Sequence, residues 1–333
     1  GFIPGDLGGA FCIRLPGDKP TQDLYCPGCP CRRIVGVCGG RPRRPPRAGA
    51  PALTFPRRKL FQIFVHFLSL AALVVFGVWA LFNLYLYLHQ ERLLFYPVPL
   101  AEGARLVFPR PAEEHFIPVE GARLHALRFP AKNPRATVLF FHGNAGNLAS
   151  WGSAMDPFVV RGYDAVIVDY RGFGKSGGRI ESEAQLRDDA ETVYQWVVAR
   201  TPEDRVVLAG RSLGSGLAVY LASRHRPRRL LLQSAYVSML DVKRRIYPYV
   251  PGFVLRYPLR TDRWIGAVSC PVDLIHGRGD ELIPYASSER LLPLIRTEKR
   301  LFPVEAGHDD LGDGPGYEAA LDAVLGPATP VGK

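Results

Sequence analysis

The sequence predicts an α/β protein: a mostly parallel central sheet flanked by helices, with a short helical lid, preceded by one transmembrane helix. Two observations carry this expectation. After about residue 100, short and continuously apolar runs alternate with helical patterns, the signature of strands buried on both faces of a sheet. Before them, from Leu60 to Leu88, no residue is charged if His66 is neutral. A helix of that span more than covers a hydrocarbon core of roughly 30 Å.

Residues 1–56 are rich in Gly, Pro, Arg and Ala, include Arg41-Pro-Arg-Arg-Pro-Pro-Arg47 and lack apolar periodicity. They are expected to be a disordered basic tail, because too little surface can be buried to offset chain entropy. The chain begins with Gly1, and Met155 is its first methionine, which reads as a start set too far upstream. Of the formal charge of +11, most lies at the front, where residues 1–59 hold 11 Lys/Arg against 3 Asp/Glu. A basic segment beside an apolar one is a topology signal, so nucleic acid is set aside as a partner. Five of the six cysteines, Cys12, Cys26, Cys29, Cys31 and Cys38, also lie in this tail. Cys26-Pro-Gly-Cys29-Pro-Cys31 has ligand-like spacing, but no His or second spaced pair completes a tetrahedral site, and no metal is expected.

The apolar segment 60–88 is read as transmembrane. It is longer than the core of a signal peptide and runs into Tyr85-Leu-Tyr-Leu-His-Gln-Glu-Arg92 rather than a small-residue cleavage site. Trp79, Tyr85 and Tyr87 stand where an interfacial aromatic belt belongs. Arg41, Arg43, Arg44, Arg47, Arg57, Arg58 and Lys59 precede it, whereas Arg92 and Arg105 follow, so the N-terminus is expected in the cytoplasm and the remaining chain outside it.

The strand candidates are Thr137–Phe141, Ala165–Asp169, Arg205–Ala209, Arg229–Gln233, Val272–Ile275 and Leu301–Val304. Ser182–Arg200, Leu213–Arg224, Ala286–Ile295 and Pro315–Leu325 read as helices, within a domain spanning about 100–325.

Gly210-Arg-Ser-Leu-Gly214 sits directly between a strand run and a helical run. Such a turn strains the Ser212 backbone and lifts its hydroxyl clear of the sheet, presenting a nucleophile. A serine hydroxyl needs a base and a group to orient that base. Asp280, in His276-Gly-Arg-Gly-Asp280, and His308, in Glu305-Ala-Gly-His-Asp-Asp310, follow in the required order, each just past a strand. Asp309, Asp310 and Glu281 are the rival carboxylates. The loop Phe141-His-Gly-Asn-Ala-Gly-Asn147 lies where a second oxyanion donor is needed, making the Asn144 and Leu213 N–H groups the candidates. His142 is expected to shape this loop by hydrogen bonding. Gly174-Lys-Ser176 lacks the upstream glycine of a phosphate loop and Glu113-Glu-His115 lacks a second histidine, so neither nucleotide nor metal cofactor is expected.

Taken as an ordered set, these motifs, together with Gln90-Glu-Arg-Leu-Leu-Phe-Tyr-Pro97 and Asp169-Tyr-Arg-Gly-Phe-Gly-Lys-Ser-Gly-Gly178, resemble the Bem-type membrane-anchored α/β hydrolases, related to the ABHD-type depalmitoylases. The resemblance covers about residues 90–325. It implies the α/β-hydrolase fold, the triad Ser212, Asp280 and His308, and action on esters, thioesters or amides. Tyr236–Trp264 occupies the usual lid position, where Tyr236, Val237, Met239 and Tyr247 are candidates to line an acyl pocket. The expectation is a membrane-anchored serine hydrolase of carboxylic esters or acyl thioesters. A peptidase or amidase of the same fold, and a catalytically idle interaction protein, remain open at this point.

Overall fold

The computed structural model describes residues 57–328; the expected basic tail, its cysteines and its arginine run lie outside the described residues. The chain divides into two units, 1–61 and 62–333. Of the first, only Arg57–Phe61 is described, as the opening turn of helix α1, Arg57–Leu94. This helix is long and apolar enough to cross a membrane. At 38 residues it outruns the segment 60–88 at both ends, since Arg57–Lys59 and His89–Leu94 are good helix formers with no breaker among them.

Eight strands form one sheet: β1 Glu113–Val119, β2 Ala122–Phe129, β3 Ala136–Phe141, β4 Tyr163–Val168, β5 Val206–Arg211, β6 Arg229–Gln233, β7 Val272–Gly277 and β8 Lys299–Val304. Their spatial order is β8-β7-β6-β5-β3-β4-β2-β1. All neighbours from β4 to β8 pair in parallel, while β2 pairs antiparallel with both β1 and β4. The β1–β2 hairpin was not among the expected strands. Its polar outer residues, Glu113, Glu114 and His115, dilute the apolar pattern.

The continuous apolar runs are explained by a core on each face of the sheet. Leu139, Phe141, Val166, Leu208, Leu230 and Leu274 point to one side, where α2 Glu183–Val198 and α3 Leu213–Ala222 supply Leu186, Val193, Tyr194, Leu217 and Leu221. Val138, Phe140, Ala165, Ile167, Val207 and Ile275 point to the other. There they meet Met155, Phe158 and the α-helix Tyr317–Leu325. Ser182 caps α2 by accepting from the Gln185 N–H.

Between β6 and β7 an insert runs across the ends of the central strands. It contains α4, Met239–Ile246, N-capped by Ser238, and a short turn of helix at Gly252–Val254. The insert packs on the last turns of α1: Gln90 Nε2 donates to the Val254 carbonyl at 3.1 Å, and its Oε1 accepts from the Arg256 N–H at 2.8 Å. Glu91 takes the Arg256 guanidinium at 2.7 Å and the Tyr257 hydroxyl at 2.8 Å. Buried polar ends placed in α1 thus tie it to the domain that follows.

Candidate active site

The site forms where the parallel strands end. At the tip of β5, Ser212 holds φ 52° and ψ −120°, a left-handed backbone that is strained for any residue with a side chain. The strain is held by packing. A Cβ at Gly214 would strike the Phe141 carbonyl, and one at Gly210 the Gly214 carbonyl, so strand and helix reach this proximity only with glycine at both places. Ser212 N–H donates to the Gln233 carbonyl at 2.9 Å and the Ser215 hydroxyl to the Ser212 carbonyl at 2.7 Å.

The three residues expected to act together converge. His308 Nε2 lies 3.0 Å from Ser212 Oγ, and His308 Nδ1 lies 2.7 Å from Asp280 Oδ2. Asp280 is anchored from the other side, its Oδ1 accepting from the Ile283 N–H at 2.7 Å. Burial pushes the Asp280 carboxyl up, but hydrogen bonding from His276 and His308 and from the Ile283 amide outweighs it and holds the group well below the usual carboxylate range. His276 is fixed between the Ser288 hydroxyl at 2.6 Å and the Ile283 carbonyl at 2.8 Å, so it shapes the Asp280 loop. Of the rival carboxylates, Asp310 caps the Gly307 N–H at 2.7 Å, while Asp309 and Glu281 are exposed.

The loop after β3 faces Ser212 from the opposite side. Leu213 opens α3, leaving its N–H without a helical acceptor. Neither that N–H nor the Asn144 N–H is engaged by a hydrogen bond among the described residues. The Asn144 loop is stitched to the end of α1: Asn144 Nδ2 donates to the Leu94 carbonyl at 2.9 Å, and the Asn144 carbonyl accepts from the Tyr96 N–H at 2.8 Å. His142 is fully buried, its Nδ1 donating to the Gly143 carbonyl at 2.7 Å, and its own carbonyl accepts from the Tyr170 hydroxyl. That is the loop-shaping position expected for it.

A cavity of about 290 Å³ opens over Ser212. Tyr236, Met239 and Tyr247 line it as expected, whereas Val237 lies in the core beneath. Met239, Val242 and Ile246 recur at helical spacing and turn one face of α4 to the cavity. Leu93, Leu94 and Tyr96, from the end of α1 and the residues after it, form another wall. This wall was not foreseen, because a transmembrane reading of α1 gives no reason to bring its last residues to Ser212. Arg211 is the second unforeseen element, reaching back to the His308 loop.

The family model described as serine aminopeptidase, S33, matches residues 132–257. Among bacterial relatives, Rv2307c of Mycobacterium tuberculosis is 31% identical, over 77% of this chain and 92% of its own. YfhR of Escherichia coli O157:H7 is 35% identical over 54% of this chain, which spans 64% of the length of that relative. In eukaryotes, Bem46 of Schizosaccharomyces pombe is 28% identical over 69% of this chain and 84% of its own, and the lysophosphatidylserine lipase ABHD12 of Danio rerio 29% over 52% and 50%. The solved Pyrococcus furiosus esterase Pf2001, 17% identical, shares the fold with a TM-score of 0.57 over 70% of this chain and 96% of its own. With the strand order and these relatives together, the chain belongs to the α/β-hydrolase superfamily, in the family that holds Rv2307c and Bem46.

Proposed function

We propose that this hydrolase cleaves carboxylic esters or acyl thioesters through an acyl-enzyme on Ser212, and that α1 holds it at a membrane with the N-terminus cytoplasmic and the hydrolase domain outside the cytoplasm. The observation that carries the reading is the continuous relay from Ser212 Oγ through His308 to Asp280, at 3.0 and 2.7 Å, on the floor of an apolar cavity. In this reading His308 Nε2 takes the Oγ proton as Oγ attacks the carbonyl carbon. The oxyanion that forms is received by the Asn144 and Leu213 N–H groups, at the positive end of α3. Collapse expels the alcohol or thiol, which receives the proton from His308. Water, deprotonated by the same imidazole, then releases the acid and restores Ser212. Asp280, ionised throughout, holds the imidazole with Nε2 toward Ser212 and stabilises its charged form.

The lining supports an acyl substrate over a peptide amine. Among the described residues around the cavity, the charged side chain is Lys243, a cation, whereas an aminopeptidase subsite needs a carboxylate for the substrate's ammonium group. The insert Tyr236–Trp264, which contributes seven of the residues around the cavity, acts as the lid. Fluorophosphonate labelling of the full chain tests the reading. Labelling of wild type that disappears in Ser212→Ala is the expected result; a folded wild type that takes no label favours an interaction protein that keeps the fold without using it.

A further inference from the structure

The cavity over Ser212 has a neighbour beyond α4. At Leu93, Leu94, Tyr247 and Leu255 it shares its walls with a second apolar recess of about 80 Å³, pressed between α1 and the insert. Leu86, Gln90, Val250 and Val254 complete this recess. From Leu94 back to Leu86 the run follows α1 for about 12 Å, away from the site. Lys243, which touches both spaces, donates to the Val250 carbonyl, fastening α4 to the loop and engaging its charge there.

The far end of this run has the character of a membrane interface. Trp79 Nε1 donates to the Tyr249 carbonyl at 3.4 Å, so the loop after α4 lies alongside α1 at that level. Tyr249 and Phe253 are 88% and 81% exposed, an uncovered aromatic pair on the same loop. The stretch from Leu60 to Val78 covers about 28 Å as a helix, close to a hydrocarbon core of roughly 30 Å. Trp79, Tyr249 and Phe253 then fall together at the headgroup level, where aromatic rings concentrate.

We propose that the acyl chain of a bilayer lipid enters laterally through the seam between α1 and the insert, so that the membrane helix forms one wall of the acyl track as well as the anchor. The proposal rests on Ser212 being the nucleophile, and the experiment separates the two. Full-length protein in phosphatidylcholine vesicles is treated with a hexadecyl fluorophosphonate bearing a diazirine near the end of its chain, then irradiated and mapped by mass spectrometry. Phosphonylated Ser212 with photo-adducts on the α1 peptide around Leu86 or on the Val250–Leu255 loop is the expected result. Phosphonylated Ser212 with photo-adducts confined to other walls, such as Leu282, overturns lateral entry while leaving the nucleophile intact. No phosphonylation removes the nucleophile and the track with it. In a second arm, Leu86→Trp obstructs the seam. Turnover of a hexadecanoyl ester in vesicles, relative to a butyryl ester free in buffer, is expected to fall about tenfold. An unchanged ratio means that the chain enters from solution by another path.

Discussion

The Arg211 guanidinium donates through Nη2 to the His308 carbonyl at 2.7 Å and to the Asp309 carbonyl at 2.9 Å. The residue preceding Ser212 therefore holds the loop that carries His308. Burial pushes the Arg211 pKa down, partly countered by Tyr317, Asp309 and Asp280, yet an arginine stays charged, and the two N–H groups of its Nη2 serve both carbonyls. Arg211→Met is expected to free the His308 loop and lower kcat on a soluble ester about tenfold, with KM little changed. Arg211→Lys, which keeps the charge and a multi-donor nitrogen but not the reach of the planar guanidinium, should recover part of the loss. A parallel rise in KM would mean that Arg211 shapes the cavity instead of positioning His308.

Asp280 makes a directional claim about pH. Its carboxyl is held below its unfolded value of about 3.9, so its stabilising contribution is fully present above that value and is lost as pH falls through the depressed folded one. Relative to Asp280→Asn, wild type should therefore hold a constant advantage in Tm from about pH 5 upward and lose it below about pH 4. Thermal melts of the two proteins across that range test this. An advantage that disappears between pH 5 and 7 would assign the titration to another group.

The close approach of α3 to β3 sets a steric test. A methyl group at Gly214 has no space beside the Phe141 carbonyl, and backbone yields less readily than a flexible side chain. Gly214→Ala is expected to destabilise the domain by at least about 2 kcal/mol in urea unfolding, with loss of fluorophosphonate labelling as the elbow shifts. Ser212→Ala, at the same turn, removes labelling but should keep near wild-type stability.

What was legible in the sequence was what local chemistry writes. Ser212 was readable because a strand, two glycines at fixed offsets and a helix must be neighbours in the chain for that turn to form. Asp280 and His308 were readable because each sits at the tip of a parallel strand, and the tips of such strands gather at one edge. The antiparallel β1–β2 hairpin at the sheet's edge was missed because one of its strands is half polar. The cavity wall at Leu93, Leu94 and Tyr96 was missed for a different reason. Apolar residues at the end of a long apolar helix look alike whether they face outward or line a cavity, and the tertiary contacts of Gln90 and Glu91 tell the two apart.

Glu91 accepts from both the Arg256 guanidinium and the Tyr257 hydroxyl, and its loss leaves two donors at the α1–insert junction without their acceptor. Glu91→Gln keeps the side chain's size and one acceptor oxygen, whereas Glu91→Ala removes both bonds. The expected cost is about 1 kcal/mol for the first and about 2 kcal/mol for the second, read from urea unfolding of detergent-solubilised protein. Because the Asn144 loop is tied to the Leu94 carbonyl only three residues further on, the damage should also reach the site. The rate of fluorophosphonate labelling is expected to fall in Glu91→Ala even at temperatures where the protein is fully folded. Unaltered labelling with lowered stability would show that α1 is fastened to the domain without influencing the loop that faces Ser212.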